Sequence, residues 1–230
     1  MMKNNSKSPK RQGFLARAIK RLFDILLALF LSLLTLPVAL VAMLLICIFD
    51  PGTPFYAQRR VGRGGREFTL LKLRTMRKNA DRVEDFLTAE ELTLYRREYK
   101  LPEDRRLIGY RREGDGKRCL GALLRRTSID EIPQLWYNVL LRGNMSLVGP
   151  RPVLREELDA HYSKEEQKAL LAVKPGVTGY WQAYARNRAC YENGERQQME
   201  LHYAETHSFW LDIRILFRTV VAVITKTGAK

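Results

Sequence analysis

Residues 25–49 read ILLALFLSLLTLPVALVAMLLICIF, an apolar run of 25 residues without a charged side chain. At 1.5 Å per residue, a straight helix of this length measures roughly 37 Å, which exceeds the ~30 Å hydrocarbon core of a bilayer. The run is too long for the apolar part of a cleaved signal peptide, and it leads into CIFDPGTPF without a small-residue cleavage site. The sequence therefore predicts a segment that inserts into a membrane.

The charges around this run bear on how it enters the membrane. Lysine and arginine stand on both sides of it, at Lys20, Arg21, Arg59, Arg60 and Arg63. Because positive residues stay on the cytoplasmic side, charge at both ends favours a re-entrant segment whose two ends remain inside. Pro37 removes one helical hydrogen bond and disfavours helical geometry at Leu36, which predicts a bend there. A kinked helix that spans the membrane is the alternative, since proline is tolerated in such helices.

A second informative stretch, residues 127–152, reads TSIDEIPQLWYNVLLRGNMSLVGPRP and contains adjacent carboxylates near its start. Apolar residues recur in it at helical spacing, at Ile132, Leu135, Trp136, Val139 and Leu140. The pattern predicts a helix with Asp130 and Glu131 in its first turn.

Two interpretations of this carboxylate pair stay open. One is a capping box, in which Ser128 caps the helix and Glu131 reaches back to the Ser128 amide. A helix that starts at Asp130 would instead place Pro133 where no donor is needed. The other interpretation is chemistry on a phosphate-bearing substrate, because basic residues flank the pair and the free N–H groups of a helix start attract phosphate.

The chain carries 40 Lys+Arg against 25 Asp+Glu, a formal charge of +15 at pH 7. Such an excess predicts an anionic partner: nucleic acid, an anionic membrane surface or a phosphorylated small molecule. The sequence contains no zinc-finger spacing, aromatic-rich signature or clear helix-turn-helix pattern, so we do not expect nucleic acid as a partner. The three cysteines, Cys47, Cys119 and Cys190, show no pairing pattern, which predicts reduced thiols and a cytosolic catalytic portion.

Basic residues also recur after the apolar run. The loop VGRGGR at 61–66 is typical of a tight hairpin turn, although its glycines would also permit a backbone anion site. In the strand predicted for Glu67–Met76, Lys72 and Arg74 share one face, where they would line a phosphate site or merely protect an edge strand from aggregation. We expect the apolar segment 209–225, which carries arginines, to lie in the membrane interface or to pack on the core.

Six segments occur in a distinctive order along the chain. They are KRLFDILLAL (20–29), QRRVGRGGREFTLLKLRTM (58–76), LRRTSIDEIPQLW (124–136), MSLVGPRP (145–152), KPGVTGYWQAYARN (174–187) and LDIRILFRT (211–219). This order resembles the bacterial sugar transferases, the monotopic phosphoglycosyl transferases that start glycan assembly on polyprenyl phosphate. The similarity covers nearly all of the chain beyond its N-terminal tail. Each piece is weak alone, whereas their shared order is highly specific.

The resemblance implies roles for individual residues. Asp130 is implied to be the nucleophile and Glu131 its neighbour in a dyad that is associated with Mg²⁺, so that both carboxylates are candidate metal ligands. Phosphate-binding positions are implied at Lys72 on the strand and at Arg125, Arg151 and Arg186, and we add Arg74 because it lies beside Lys72 on the strand.

The family's re-entrant helix is broken at a Ser-Pro pair, and this chain departs from that pattern. The pair is Leu36-Pro37 here, so the serine hydroxyl is missing and Thr35 or Ser32 would have to replace it. A further departure follows the dyad, where the usual LFNVLKGDM becomes the longer LWYNVLLRGNM and an expected acidic residue is Asn144. We therefore expect altered geometry after the dyad, with the dyad itself retained.

Together these observations predict a helix-rich α+β fold. The expected protein is monotopic, with an N-terminal re-entrant membrane helix, a small β element and interfacial amphipathic helices. We expect a basic tail at residues 1–19, a membrane helix-break-helix at 20–50 and a cytosolic catalytic domain at 51–230 that ends in an interfacial helix. The multi-spanning N-terminal region of larger family members has no counterpart here, which implies a minimal or an excised catalytic form.

The implied activity moves a sugar 1-phosphate from a UDP-sugar to undecaprenyl phosphate through an aspartyl intermediate, with release of UMP. Such a reaction starts exopolysaccharide, lipopolysaccharide O-antigen, capsule or glycoconjugate synthesis. The expected partners are these substrates, Mg²⁺ and membrane lipids, with a homodimer as a candidate assembly at the cytoplasmic face of the bacterial inner membrane. Two alternatives stay open: a membrane-anchored basic adaptor that binds acidic lipid or nucleic acid, and an ordinary glycosyltransferase that releases UDP.

Overall fold

The computed structural model describes residues 13–98, 101, 103–111, 118–185 and 194–224. Its α-helices are α1 Phe14–Phe49, α2 Ala89–Glu98, α3 Leu120–Thr127, α4 Arg155–His161, α5 Lys164–Leu170, α6 Tyr180–Ala185, α7 Glu195–Thr206 and α8 Phe209–Ile224. The strands are β1 Phe55–Val61, β2 Glu67–Leu73, β3 Ser146–Val148 and β4 Gly176–Thr178, and a π-helix covers Gln134–Leu141. Within these ranges the chain is helix-rich with two small sheets, which confirms the predicted α+β class.

Helix α1 contains the whole apolar run and begins at Phe14, upstream of the predicted start at Lys20. Pro37 lies inside it, and the helix continues through the predicted break at Leu36 and Pro37. Among the described residues, α1 is the one helix whose length and composition allow it to cross a membrane. Only 17% of its most apolar 18-residue window is buried, which differs from the core helix of a soluble protein. The re-entrant path of this helix stays a prediction.

The chain divides into two compact units. The first unit comprises Met1–Leu33, Ala57–Leu71 and Pro133–Lys230, and the second comprises Leu34–Tyr56 and Lys72–Ile132. The first unit has two apolar clusters, one around Val139, Met145 and Leu147 and another around Leu158. The core of the second unit is the cluster Ala42, Ile46, Leu73, Ile108 and Leu124.

A buried charge network ties the first part of α1 to the rest of the first unit. The ammonium of Lys20 lies 3.2 Å from Asp24 and 2.9 Å from Asp212 of α8. Asp24 accepts a 2.7 Å hydrogen bond from the Ser146 hydroxyl, and Asp212 accepts one of 2.7 Å from the Tyr203 hydroxyl. Because each buried carboxylate has a cation and a hydroxyl donor, the desolvation of the charges is offset by good geometry.

The two sheets are short. Strands β1 and β2 pair as a two-stranded sheet around the loop that carries Gly64 and Gly65, so the hairpin-turn interpretation of that loop is confirmed. Strand β2 ends at Leu73 rather than at the predicted Met76. Strands β3 and β4 pair in parallel, and α4 and α5 form the crossover that a parallel pair requires.

Gly149 follows β3 at a point where two backbones come close together. A Cβ atom at this position would overlap the carbonyl oxygen of Lys174 and the amide of Gly176. The backbone amide of Gly149 donates a 3.0 Å hydrogen bond to Thr178. A glycine is therefore required here because any side chain would separate the two segments, and this approach positions the Pro-Arg-Pro segment that follows.

Helix α8 has two different faces. Ile215 and Asp212 are buried on one of them. Trp210 and Phe217 are 77% and 70% exposed on the other. The core-packing interpretation of this segment is therefore confirmed for one face, and the exposed aromatic side chains are those that an interfacial helix would present to lipid.

Candidate active site

The two carboxylates lie in a helical turn that a sharp bend separates from helix α3. Helix α3 ends at Thr127, and Ser128 follows with a left-handed backbone (φ 59°), which turns the chain sharply. Ile129–Glu131 then form one turn of 3-10 helix that contains both carboxylates. The Ser128 side chain makes no capping bond, and its amide donates to Arg125 of the preceding helix. The predicted capping box is therefore wrong. The pair does lie in the first turn of a helical stretch, because Ile132 and Pro133 also have helical backbone angles and lead into the π-helix Gln134–Leu141.

Pro133 lies between this 3-10 turn and the π-helix that follows, and its own backbone angles are helical (φ −55°, ψ −24°). Proline lacks the N–H that an interior helical position needs, and Pro133 instead stands immediately before the π-helix Gln134–Leu141. The wide turn of this helix is seen where the amide of Arg142 donates to the carbonyl of Tyr137, five residues earlier, at 2.9 Å. A π-helix holds more residues per turn than an α-helix, which gives a physical reason why the lengthened segment after the dyad fits.

Asp130 is almost fully buried, with 7% of its surface exposed. Burial raises the pKa of Asp130 from 3.8 to about 6, and the nearby Glu131 carboxylate adds to the rise, whereas Lys72 and Arg125 oppose it. The ammonium of Lys72 lies 2.8 Å from Glu131 and 3.9 Å from Asp130. The second unit therefore brings together a buried carboxyl, a more exposed carboxylate and a shared cation, with the carboxyl still largely ionised at neutral pH.

The other basic residues predicted around the pair divide into two groups. Arg125 acts electrostatically on Asp130, and its guanidinium donates a 2.9 Å hydrogen bond to the Thr75 hydroxyl, which orients it. Arg74 lies past the end of β2, where its guanidinium donates to the side chain and the backbone carbonyl of Asp50. The largest charge effects on Asp130 come from Lys72, Glu131 and Arg125, whereas Arg74 is paired with Asp50, so its phosphate-binding role stays a prediction.

Arg151 belongs to the first unit. Its side chain is partly exposed, and its guanidinium lies 3.7 Å from Glu157 of α4. Its backbone amide donates a 2.8 Å hydrogen bond to Glu200 of α7. Arg186 lies outside the described residues, so its predicted phosphate-binding role stays a prediction.

A comparison with known protein families identifies the family of this chain. Residues 15–226 match the sequence profile of the Bacterial sugar transferase family, which is more than nine-tenths of the chain. The chain belongs to the bacterial sugar transferase family. The order of segments that first indicated this family is therefore borne out along almost the whole sequence.

Several proteins with named roles are similar to the chain. A UDP-galactose-lipid carrier transferase of Erwinia amylovora is 40% identical over 217 residues, which are 93% of this chain and 42% of that protein. The exopolysaccharide production protein ExoY of Sinorhizobium fredii is 37% identical over 213 residues, 91% of this chain and 87% of ExoY. A UDP-glucose:undecaprenyl-phosphate glucose-1-phosphate transferase of Caulobacter vibrioides is 36% identical over 217 residues, 91% of this chain and 71% of that protein. The chain thus spans less than half of the Erwinia relative and most of ExoY.

Asn138 is a structural residue of this sugar transferase that sequence patterns did not reveal. It is fully buried in the π-helix, and its amide donates to the carbonyl of Thr69 at 2.8 Å and to Asn144 at 3.1 Å. Its side-chain oxygen accepts a 3.1 Å hydrogen bond from the amide of Leu71. Asn144 supplies an acceptor oxygen, which an aspartate could also supply. The replacement of the family's usual acidic residue by Asn144 therefore keeps the hydrogen bond from Asn138. A polar residue inside the apolar run LWYNVLL was the one available signal.

Glu200 is another residue whose importance the sequence patterns did not reveal. It is 3% exposed and receives the Arg151 amide, the only backbone donor in the segment Pro150–Pro152 because proline has none. Burial raises the pKa of Glu200 to about 7, while the hydrogen bond and charge of Arg151 oppose the rise. Burying a carboxyl group destabilises the fold unless the group is hydrogen-bonded. The Glu200 carboxyl accepts its hydrogen bond from the backbone of Arg151 and so holds that backbone in place.

If the chain catalyses the sugar-phosphate transfer for which its relatives are named, we expect Glu200→Leu to lower that rate about tenfold to a hundredfold, because a displacement of about 1 Å at a positioned group can cost that much. Glu200→Gln keeps an acceptor oxygen and should retain most of the activity. Initial rates with saturating lipid and varied UDP-sugar measure the effect, and thermal unfolding of each variant controls for folding. Equal rates for the Leu and Gln variants would show that the hydrogen bond to Arg151 does not matter.

Proposed function

We propose that this protein transfers a sugar 1-phosphate from a UDP-sugar to undecaprenyl phosphate and releases UMP. The observation that carries the proposal is the turn Ile129–Glu131, which holds a buried carboxyl beside a second carboxylate and the Lys72 ammonium. The relatives named for UDP-galactose, UDP-glucose and undecaprenyl phosphate supply the substrate classes. The similarity to the exopolysaccharide production protein ExoY supports a role of this reaction in polysaccharide synthesis.

In the first half-reaction, a carboxylate oxygen of Asp130 attacks the phosphorus that bears the sugar. A new Asp130 O–P bond forms, the P–O bond to the uridylyl phosphate breaks, and UMP leaves with that bridging oxygen and the electron pair. An anion attacking an anion is unfavourable until the charge is balanced. Lys72 and Arg125 supply positive charge here, because both already act on Asp130. We further propose that Arg151, and Arg186 beyond the described residues, bind the donor's phosphates.

In the second half-reaction, an oxygen of undecaprenyl phosphate attacks the same phosphorus. The new bond completes a diphosphate bridge between lipid and sugar, and the Asp130 carboxylate leaves with its electron pair, which restores the enzyme. Dividing one hard displacement into two easier ones is the general advantage of a covalent nucleophile. No net proton is consumed in either step, so Asp130 must be ionised when each cycle begins.

Mg²⁺ fits the donor set of this turn. Magnesium is usually held through one or two carboxylates together with substrate phosphates and water. Glu131 and Asp130 are two such carboxylates in one turn, and the described residues contain no larger cluster of ligating side chains. Bound there, the ion would neutralise charge that develops on the transferred phosphate.

We propose that the enzyme works at the cytoplasmic face of the bacterial inner membrane. Its long apolar helix α1 and the basic residues on both sides of the apolar run support this location. A re-entrant path through Leu36–Pro37 would keep both ends of the helix on the side where UDP-sugars are made. Assembly as a homodimer stays a prediction.

Product analysis tests the proposed reaction. With UDP-galactose or UDP-glucose, undecaprenyl phosphate, Mg²⁺ and the full chain in detergent, we expect equal amounts of UMP and of a lipid diphosphosugar. Release of UDP would instead show transfer of the sugar without its phosphate. If a folded protein that binds anionic vesicles releases neither UMP nor UDP from any UDP-sugar, the result would support the basic adaptor.

A further inference from the structure

An apolar groove of about 330 Å³ lies in the second unit. It is formed by the part of α1 that follows Pro37, by α3, and by Ile129 at the start of the 3-10 turn. Every side chain that lines it is apolar. Its volume is at the lower end of the ~300–1,000 Å³ typical of ligand sites, so it would hold a segment of a long ligand.

The groove has a buried floor and an exposed rim. Ala42 and Leu124 form part of the floor and also belong to the core of the second unit. Val41 of α1 and Leu123 of α3 form part of the rim and are 57% and 41% exposed. Leu120, Leu123 and Leu124 recur at i, i+3 and i+4, so α3 turns one apolar face toward the groove. The rim therefore offers apolar surface that the described chain leaves uncovered.

The position of the groove relates it to the dyad. Ile129 lines the groove, and the next residue in the same turn is Asp130. Lys72 and Arg125 act on Asp130, so positive charge gathers where the apolar lining ends. A ligand that complements both features has an anionic head for the cations and a hydrocarbon chain for the groove.

We propose that this groove binds the first part of the isoprenoid chain of the lipid acceptor and thereby sets its phosphate against the phosphorus carried by Asp130. The inference rests on the proposed function, because that reaction requires a lipid phosphate to reach Asp130. The rest of the chain would remain in the bilayer beside α1. An acyl chain of a bulk phospholipid is a different occupant, since it would cover the apolar rim without contributing to the reaction.

Paired tryptophan substitutions on α1 test the proposal. Val41→Trp fills the groove from its rim, whereas Leu44→Trp, three residues later and 61% exposed, lies outside it. We expect Val41→Trp to lower kcat/KM for undecaprenyl phosphate about tenfold or more, in line with steric exclusion from an apolar pocket. Lipid-free UMP release in the first half-reaction should be unchanged in both variants, and Leu44→Trp should match the unmodified protein throughout. Leu123→Trp should repeat the Val41→Trp result from the opposite wall.

The preference for chain length gives a second readout. The unmodified protein should have a higher kcat/KM for undecaprenyl phosphate than for a phosphate that carries a single isoprene unit. Val41→Trp should reduce the ratio of these two values. Unchanged lipid kcat/KM in Val41→Trp would overturn the proposal and indicate that bulk lipid covers the groove. An equal fall in lipid-free UMP release would also overturn it, because the substitution would then disturb the dyad.

Photocrosslinking separates this inference from the proposed reaction. A polyprenyl phosphate with a diazirine on its first isoprene units should label peptides that contain Val41 or Leu123, and undecaprenyl phosphate should compete whereas phosphatidylglycerol should not. If the protein transfers no phosphosugar but this labelling is obtained, the proposed function fails and the groove stands. If transfer is normal and label is found only elsewhere, the groove proposal fails and the function stands.

Discussion

Asp130→Asn should abolish sugar-phosphate transfer, with a loss of about 10⁴-fold or more, as is found when a covalent nucleophile is removed. The amide cannot form the bond to phosphorus, although its size and shape are nearly those of the carboxylate. UMP release with and without lipid measures the loss. Residual activity within tenfold of the unmodified enzyme would rule out Asp130 as the nucleophile.

The same substitution should make the protein more stable, which controls for misfolding. Burial raises the pKa of Asp130 from 3.8 to about 6, so the carboxyl's contribution to stability is fully present below pH 3.8 and is lost as the pH rises through about 6. A neutral amide avoids this loss, and we expect a gain on the order of 1–3 kcal/mol in unfolding free energy at pH 7.5. Thermal unfolding at pH 7.5 and at about pH 4 should show a gain that shrinks at the lower pH. A variant that is inactive and also unstable at pH 7.5 would contradict this account of Asp130.

Lys72→Met should reduce transfer about a hundredfold to a thousandfold, a range typical of losing one charged group that stabilises a transition state. The ammonium lies 2.8 Å from Glu131 and 3.9 Å from Asp130, so its removal leaves two adjacent carboxylates without their shared cation. Because Lys72 lowers the pKa of Asp130, the substitution should raise that pKa above its present value of about 6. Rates of lipid-free UMP release across pH 5 to 9 measure both effects.

The direction of the pH shift makes this prediction specific. Only ionised Asp130 attacks phosphorus, so the half-reaction should slow as the pH falls through about 6 in the unmodified protein. In Lys72→Met the corresponding decline should begin at higher pH. Lys72→Arg retains the charge and should keep a profile close to the original one. A profile in Lys72→Met that is lower but not displaced would mean that Lys72 does not act on Asp130.

Sequence patterns predicted the parts of the fold that depend on local composition. The apolar run that became α1, the hairpin around Gly64 and Gly65, and the apolar side chains Leu135 and Val139 all follow from spacing or turn chemistry. The catalytic interpretation of the dyad depends on the order of the family segments, because the sequence Ser-Ile-Asp-Glu fits a capping box and a catalytic pair equally well. Local patterns alone would have favoured the cap.

The elements that were missed depend on tertiary contacts. Ser128 takes a left-handed conformation that places Asp130 in its own turn, and no propensity for serine predicts it. Arg74 was grouped with Lys72 by strand alternation, but β2 ends at Leu73, and Asp50 then takes the guanidinium. Glu200 is far along the chain from Arg151, so only the folded structure reveals its hydrogen bond. These cases share a cause. The conformation or the hydrogen-bond partner of each residue depends on how segments that are distant in the sequence pack together.

A covalent phosphosugar on Asp130 is the central claim, and mass spectrometry measures it most directly. The full chain is incubated with Mg²⁺ and UDP-galactose or UDP-glucose in the absence of lipid, and both UMP and protein mass are recorded. We predict at most one UMP per chain and a phosphosugar mass on the peptide that contains Asp130, which undecaprenyl phosphate then removes. Continuous lipid-dependent turnover with no such mass under rapid quenching, or a mass mapped to another residue, would contradict the account.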